Sequence, residues 1–273
     1  MDDRRGFIKT VAATAATAAT AATAVAAGVG STAAPVAGTA PAAQPAGRLE
    51  NIEAFAFDAY GTLFDVFSVT ALCEELFSGN GDGLAQLWRV KQLQYSLLRS
   101  LMGRHKDFWL VTEDALVYAS KSLRLDLTQA KRDRLMEAYL TLTAFPDVKP
   151  GLEALKRRGV RLAILSNGEP RMLEAAAKSA GIDMLLDTII SVEEIKIFKV
   201  SPRVYTLGLE RLQAERATMG FVSSNSWDIN GAGSAGLNTF WIQRTATEPQ
   251  EELGFPATQI VRALTDLAPL VRG

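Results

Sequence analysis

Short apolar runs that end in polar residues recur along this 273-residue chain from residue 53 onward. Residues 53–57 are rich in Phe and Ala and run into Asp58, and a glycine follows shortly after, which is typical of a buried strand in a parallel sheet that ends in a turn. Later runs alternate with stretches in which apolar residues recur every three or four positions, as in α/β proteins. We therefore predict a doubly wound parallel sheet whose strand ends face one crevice. The pattern predicts strands over 160–166, 188–191, 218–223 and 239–242, and helices over 151–158, 171–180, 202–212, 229–235 and 259–267.

A long helical region separates the first strand from the second. Apolar residues within 84–102 fall mostly at spacings of three and four, and helical patterns also cover 107–123 and 128–142. No strand pattern interrupts this region before Pro146, so it predicts an all-helical lid inserted into the α/β core. The expected division is an α/β core domain over 49–66 and 145–273 and a helical cap domain over 67–144.

Residues 1–48 have a composition of their own. Arg4 and Arg5 precede a long uncharged run of Ala and Thr and a stretch of Pro, Ala and Gly. Paired arginines before a weakly apolar segment resemble a twin-arginine export signal, so we expect an exported, periplasmic protein. A disordered tail and an uncleaved anchor are the alternatives. Because Ala and Thr are less apolar than Leu, no stable membrane insertion is expected after removal of the signal.

Charge and residue counts exclude several classes of function. The net charge is −1 and no basic tract appears, so nothing indicates a nucleic-acid partner. The single cysteine, Cys73, excludes an intramolecular disulfide and argues against a cysteine-based metal site. The single histidine, His105, is expected at the surface of the cap, and its isolation argues against triads and zinc sites. Hydrolytic chemistry must therefore rest on carboxylates, Lys, Arg and hydroxyl groups.

Polar side chains follow three of the predicted strands. Asp58 follows the first strand, Ser166 and Asn167 follow the second, and residues 223–228 follow the strand over 218–223. Because α/β folds place their chemistry at the carboxyl ends of parallel strands, these residues are candidates for one site. Each also has a plain structural explanation, since Asp caps turns and helices and Asn-Gly forms turns.

The strand-end residues also form a known pattern. Asp58-x-x-Gly61-Thr62-Leu63 resembles the first motif of the haloacid dehalogenase superfamily, and the longer string over 57–65 resembles its L-2-haloacid dehalogenase (type II) branch. The remaining motifs of the family also occur in this chain, in the expected order. They match Arg89 within 88–93, residues 166–168, Lys199 and residues 221–228. Relatives usually carry Pro after this lysine, where this chain has Val200, and Lys196 is the competing candidate.

Two positions distinguish the dehalogenase from the phosphatase branch. Phosphatases of the superfamily usually carry a second Asp two residues after the nucleophile, where this chain has Tyr60, and a metal-binding Asp where it has Ser224. Mg²⁺ prefers carboxylate oxygens, so we expect no metal and no other cofactor. Lys199 is instead expected to lie between Asp58 and Asp228 and to keep both ionised. A magnesium-dependent phosphohydrolase and a non-catalytic exported binding protein are the alternative functions.

The resemblance implies a role for each matched residue. Asp58 is the expected nucleophile toward a 2-haloalkanoate, and Asp228 assists the later attack of water on the ester. Thr62 and Tyr205 are expected to orient the Asp58 and Lys199 side chains, and the resemblance also suggests a homodimer. The expected catalytic residues are Asp58, Thr62, Arg89, Lys199, Tyr205, Ser223, Asn225 and Asp228. The expected contacts with substrate or halide are Ala59, Tyr60, Arg89, Ser166, Asn167, Leu93, Phe108 and Trp227, the last three having core packing as an equal alternative.

Overall fold

The structure, a computed structural model, describes residues 51–271. Six strands form one parallel sheet in the order β3-β2-β1-β4-β5-β6. The predicted doubly wound parallel sheet is therefore confirmed. The strands are β1 (Ala54–Phe57), β2 (Arg161–Ser166), β3 (Thr188–Ser191), β4 (Met219–Ser223), β5 (Asn238–Ile242) and β6 (Gln259–Val261).

Strand β1 lies in the middle of the sheet, and its four residues are completely buried. Phe57 pairs with Ile164 of β2 on one side and with Val222 of β4 on the other. The chain proceeds outward from β1 to β3 and then returns to β4, so the strand order reverses between β1 and β4. Open α/β sheets bind their ligands at such a reversal, outside the carboxyl ends of the strands.

Eight helices accompany the sheet within the described residues. The first four all lie in the segment between β1 and β2, where the sequence predicts a helical insert, and the other four alternate with the strands. Helix α5 illustrates the pattern, because Val148, Leu152 and Leu155 bury one of its faces while Lys156 lies in its last turn. The helices are α1 (Thr70–Leu76), α2 (Gly81–Leu101), α3 (Phe108–Ser122), α4 (Gln129–Ala138), α5 (Val148–Arg157), α6 (Pro170–Ser179), α7 (Pro202–Leu212) and α8 (Ser226–Ser234).

The two chain segments that join the helical insert to the sheet run side by side. Phe64 and Ala144 form an antiparallel bridge, and the Asp65 amide donates to the Thr143 carbonyl at 2.8 Å. The Phe145 amide donates to the Leu63 carbonyl at 3.0 Å. The insert therefore leaves and rejoins the core next to the carboxyl end of β1, which is where Asp58 lies.

The predicted helix over 259–267 is wrong. This segment forms strand β6 and two short 3-10 turns, Leu264–Asp266 and Ala268–Leu270. Strand β6 pairs with the outer edge of β5 and so provides partners for the backbone hydrogen-bonding groups of that edge. Helical periodicity cannot reveal such an interaction. The Asp266 carboxylate then accepts hydrogen bonds from the amides of Arg262 and Ala263, both at 2.9 Å, and so stabilises a tight turn.

The predicted export signal over 1–48 lies outside the described residues. Within residues 51–271, no helix combines the length and the apolar character needed to cross a membrane. The cysteine of this part of the chain, Cys73, is buried and unpaired in helix α1.

Candidate active site

Asp58 follows β1 directly and is almost completely buried. One carboxylate oxygen, Oδ2, accepts hydrogen bonds from Thr62 Oγ1 at 3.0 Å and from Asn225 Nδ2 at 2.9 Å. The other oxygen, Oδ1, accepts from the Lys199 ammonium at 2.9 Å. Three donors therefore converge on this carboxylate and fix its orientation.

The turn after β1 brings Thr62 back toward Asp58. Gly61 has a φ of +90°, a backbone conformation that side-chain-bearing residues rarely adopt. The Ala59 carbonyl accepts the amides of Thr62, Leu63 and Phe64, which closes the turn. The glycine of the Asp58-x-x-Gly61 pattern is therefore required by the geometry that places the threonine hydroxyl on the carboxylate.

Lys199 links Asp58 to a second buried carboxylate. Its ammonium lies 2.9 Å from Asp58 Oδ1 and 2.7 Å from Asp228 Oδ2, and the residue is only 2% exposed. The Lys199 amide donates to Asn167 Oδ1 at 2.9 Å, which anchors the loop after β3 to the end of β2. Lys196 pairs with Glu193 at 2.8 Å and its side chain is 65% exposed. The structure thus places Lys199, and not Lys196, between the two carboxylates.

Burial and charge shift the pKa values of this cluster. Burial raises the pKa of the Asp228 carboxyl to about 6, although Lys199 acts to lower it. Burial alone would lower the pKa of Lys199, but the carboxylates of Asp228 and Asp58 outweigh it and raise that pKa. The lysine is therefore a permanent cation, while Asp228 is a carboxylate at neutral pH and close enough to its pKa to accept a proton.

Tyr205, which is expected to orient Lys199, makes its hydrogen bond to Asp228. Its hydroxyl donates to Asp228 Oδ1 at 2.7 Å, so it orients Lys199 only through that carboxylate. The reason is topological, because Tyr205 lies in helix α7, which packs against helix α8, and Asp228 lies in the first turn of α8. Burial and the Asp228 carboxylate raise the pKa of Tyr205, so its hydroxyl remains a donor.

The turn after β4 holds the remaining polar residues of the cluster. Ser223 Oγ accepts the Asn225 amide at 3.1 Å, which directs the Asn225 side chain toward Asp58. Ser224 Oγ donates to the Gly61 carbonyl at 2.7 Å, and its amide donates to Thr62 Oγ1 at 2.8 Å. The position of the phosphatases' metal-binding Asp therefore carries a serine that joins two turns. Among residues 51–271, no group of three or more His, Cys, Asp or Glu side chains is arranged to hold a metal ion.

Arg89 reaches the site from helix α2 and is 9% exposed. One guanidinium nitrogen donates to the Tyr60 carbonyl at 3.2 Å and another donates to Gln92 Oε1 at 2.8 Å. Burial lowers the pKa of Arg89, and Tyr139 and Asp58 partly offset this effect. Arginine stays protonated despite such a shift, so the helical insert supplies a cation beside the turn that follows β1.

Unused hydrogen-bond donors remain at the ends of β1 and β2. Among the described residues, the amides of Ala59 and Tyr60 donate to no acceptor. Ser166 Oγ accepts the Gly168 amide at 3.1 Å, which leaves the serine proton free to donate. Asn167 Oδ1 accepts the Lys199 amide, so its amide nitrogen is the atom left for another partner. These donors suit a small anion such as a carboxylate or a halide.

Two aromatic side chains pack together beside the turn that follows β1. The rings of Tyr60 and Phe108 stack at a centroid distance of 5.5 Å, and the Tyr60 hydroxyl is buried without a hydrogen-bond partner. A side chain at Gly168 would meet the Tyr60 ring at 2.9 Å, so only glycine permits this approach. Leu93 and Trp227 are half-buried, and their contact with an alkyl group stays a prediction.

The expected surface position of His105 is wrong. His105 Nε2 lies 3.0 Å from Glu193 Oε1, and its side chain is only 14% exposed. Its ring also lies 4.8 Å from the Phe198 ring, next to Lys199. His105 therefore joins the helical insert to the loop that carries Lys199, a contact between distant segments that local pattern cannot reveal.

Sequence reasoning missed several polar residues that support the site. Gln92 and Thr112 extend the hydrogen bonds of Arg89 into the insert. Arg244 donates to the Thr62 carbonyl and to Asp147, both at 2.6 Å, and thereby ties the Thr62 turn to the segment that leaves the insert. Gln92 lies three residues after Arg89 on the same helix, so the sequence could have predicted that their side chains interact. Arg244 and Asp147 are too far apart in sequence for such a prediction.

The site combines a buried carboxylate at the strand reversal with a buried lysine between two carboxylates, and a helical insert follows β1. This combination is the one that the sequence resemblance predicts for a class of hydrolases. Residues 52–236 match the haloacid dehalogenase-like hydrolases, and the chain belongs to this family.

Within the family, the chain is similar to dehalogenases. The (S)-2-haloacid dehalogenase of Pseudomonas sp. strain YL is 43% identical over 227 residues, which cover 82% of this chain and 98% of the relative. Haloacetate dehalogenase H-2 of Moraxella sp. strain B is 42% identical over 196 residues, 72% of this chain and 88% of the relative. The structure of L-2-haloacid dehalogenase from Xanthobacter autotrophicus with covalently bound chloropropionic acid matches at 37% identity with a TM-score of 0.75, over 80% of this chain and 98% of that one.

Proposed function

We propose that this protein is a hydrolytic (S)-2-haloacid dehalogenase. It converts (S)-2-haloalkanoic acids to (R)-2-hydroxyalkanoic acids and halide through an aspartyl ester, without a metal. The observation that carries the proposal is the Lys199 ammonium between the Asp58 and Asp228 carboxylates, at 2.9 and 2.7 Å. Tyr60 and Ser224, at positions where phosphatases usually have carboxylates, support the same conclusion.

The first step forms the ester. An oxygen of the Asp58 carboxylate attacks C2 of the substrate in line with the carbon–halogen bond, and the halide leaves with the bonding electrons. Arg89 and the amide nitrogen of Asn167 receive the halide as its negative charge develops. The hydroxyl of Ser166 and the amides of Ala59 and Tyr60 hold the substrate carboxylate, which fixes the attacked face of C2.

The second step hydrolyses the ester. Asp228 takes a proton from a water molecule, whose oxygen attacks the carbonyl carbon of the Asp58 ester. The bond between that carbonyl carbon and the substrate oxygen then breaks, and Asp228 returns its proton to the leaving alkoxide oxygen, which releases the 2-hydroxy acid. The Asp58 carboxyl group loses the remaining proton of the water molecule to solvent and is again a carboxylate. Asn225 and Lys199 contact the Asp58 oxygens and stabilise the charge that develops there, while Ser223 holds Asn225. Only the first step touches C2, so the configuration is inverted.

Chloride release from L-2-chloropropionate in the presence of excess chelator tests this function. We expect turnover of the L enantiomer, (R)-lactate as the product, and no turnover of the D enantiomer. No chloride from either enantiomer, together with phosphate release from a generic phosphate ester on addition of Mg²⁺, would instead support the phosphohydrolase. A folded protein without either activity would support a binding role.

The proposal includes export of the protein. Arg4 and Arg5 before an uncharged Ala/Thr run support a twin-arginine signal within residues 1–48. The exported protein would then consist of an α/β core domain over 49–66 and 145–273 and a helical cap domain over 67–144. Fractionation of cells that produce the full chain tests this, and replacement of both arginines by lysine should retain the protein in the cytoplasm. Periplasmic protein in that variant would contradict the twin-arginine route.

The proposal also includes a homodimer formed through the cap. Val90, Leu97 and Leu101 lie on one face of helix α2 and are 57%, 44% and 75% exposed. Large apolar side chains that are exposed along one face of a helix are typical of a subunit interface. The double variant Leu97→Glu/Leu101→Glu should sediment as a monomer where the unchanged protein sediments as a dimer. Met184→Glu is the matched control, because Met184 is 88% exposed and lies outside the insert. A monomeric unchanged protein would contradict the dimer.

A further inference from the structure

A chain of buried hydrogen bonds runs from Arg89 into the helical insert. Gln92 is completely buried, although glutamine is mostly found at protein surfaces. We propose that Gln92 is a positioning residue, which holds the Arg89 guanidinium against the leaving halogen without neutralising its charge. This role rests on the proposed dehalogenase function, in which Arg89 receives the halide.

The contacts connect two helices of the insert to the turn after β1. Arg89 donates to Gln92 Oε1 at 2.8 Å and to the Tyr60 carbonyl at 3.2 Å. Gln92 Nε2 donates to Thr112 Oγ1 at 2.7 Å, and Thr112 Oγ1 donates to the Phe108 carbonyl at 2.7 Å. Arg89 is therefore held on one side by the insert and on the other side by the sheet.

The order of donors and acceptors determines the orientation of the Gln92 amide. The Thr112 hydroxyl has one proton, and it is used on the Phe108 carbonyl, so its oxygen can only accept from Gln92. The NH₂ end of the amide must therefore face Thr112, and its carbonyl end must face Arg89. The backbone of helix α3 thus sets the direction of a bond made to a guanidinium on helix α2.

The neutrality of the glutamine matters for the chemistry. A buried guanidinium requires acceptors, and a carboxylate would satisfy it more strongly than an amide does. A carboxylate would also cancel the positive charge that a departing halide needs, because opposite charges in direct contact inside a protein largely neutralise each other's field. An amide carbonyl orients the guanidinium and leaves its full charge available.

Chloride and bromide substrates together test this role. Chloride is the poorer leaving group, so ester formation from 2-chloropropionate depends more on Arg89 than ester formation from 2-bromopropionate. Gln92→Glu should lower kcat/KM for the chloro acid by about 10- to 100-fold, and for the bromo acid by clearly less. Gln92→Met and Thr112→Val should also lower the ratio of kcat/KM for the chloro acid to kcat/KM for the bromo acid. Thr112→Ser should keep the ratio of the unchanged protein.

Gln129→Glu is the matched control, because Gln129 is exposed on helix α4 of the same insert and makes side-chain hydrogen bonds only to Arg132 and Asp133 among the described residues. An equal loss of kcat/KM on both substrates, or no loss, in a folded Gln92→Glu or Gln92→Met protein would overturn the positioning role. Loss of folded protein would lower both rates by the same factor, so the ratio separates the two effects. An unchanged protein that releases no halide would overturn the proposed function itself.

Discussion

Asp58→Asn is expected to reduce halide release by a factor on the order of 10⁴ to 10⁶. An amide nitrogen or oxygen is a poor nucleophile, and the neutral side chain cannot displace a halide to give a stable ester. The amide also places an NH₂ group against the donors of Thr62 and Asn225 or against the Lys199 ammonium, which all require an acceptor. Measurement of chloride release from L-2-chloropropionate over several hours checks this expectation.

Asp65→Asn is the matched control for this substitution. Asp65 caps a short 3-10 turn by accepting the Phe67 amide at 2.8 Å, and asparagine can make the same bond. The activity of the Asp65→Asn protein should therefore stay within about twofold of the unchanged protein.

An isotope experiment on the unchanged protein tests the ester directly. In a single turnover in ¹⁸O-labelled water, the label should appear in Asp58 before it appears in product. Label that enters the product alone would exclude the ester, as would an Asp58→Asn protein that retains a tenth of the activity.

Lys199→Met should lower kcat/KM on the order of 10³-fold and should destabilise the protein by about 3–5 kcal/mol. The substitution leaves the buried Asp58 and Asp228 carboxylates without the cation that bridges them. Two neighbouring buried carboxylates without a cation raise the pKa of one another. Nucleophile and base can then no longer both be ionised at neutral pH.

The stability of the Lys199→Met protein should also respond differently to pH. Burial already raises the pKa of Asp228 to about 6, and loss of the cation should raise it further. A carboxyl with a raised pKa binds a proton more tightly in the folded than in the unfolded state, so stability is lost as pH rises. As pH rises from roughly 5 to 8, the free energy of unfolding of the variant should therefore decrease more than that of the unchanged protein.

Urea unfolding at both ends of this pH range measures that difference. Lys196→Met is the matched control, because Lys196 lies three residues away, is exposed and pairs only with Glu193 among the described residues. We expect it to retain both the activity and the pH dependence of the unchanged protein. A Lys199→Met protein with the same pH dependence as this control would show that the lysine does not hold the two carboxylates ionised.

The sequence alone was sufficient for the architecture and for most of the candidate cluster. Each apolar run that ends in polar residues is a local feature, and a parallel sheet necessarily brings the carboxyl ends of its strands to one edge. Asp58, Ser166 and Asn225 were therefore expected at one place before any contact was known. Even the turn that joins Thr62 to Asp58 is local, because it depends on Gly61 and on hydrogen bonds within six residues.

Tertiary structure decided every relation between segments that are distant along the chain. Lys199 and Lys196 have similar local sequence, and only the packing of their loop on Asn167 shows which one reaches Asp58. The hydrogen bond of Tyr205 to Asp228 depends on how two helices pack, and β6 depends on the unsatisfied edge of β5. Periodicity reports which face of a segment is buried, but it carries no information about the partner, because the same apolar pattern is compatible with many neighbours.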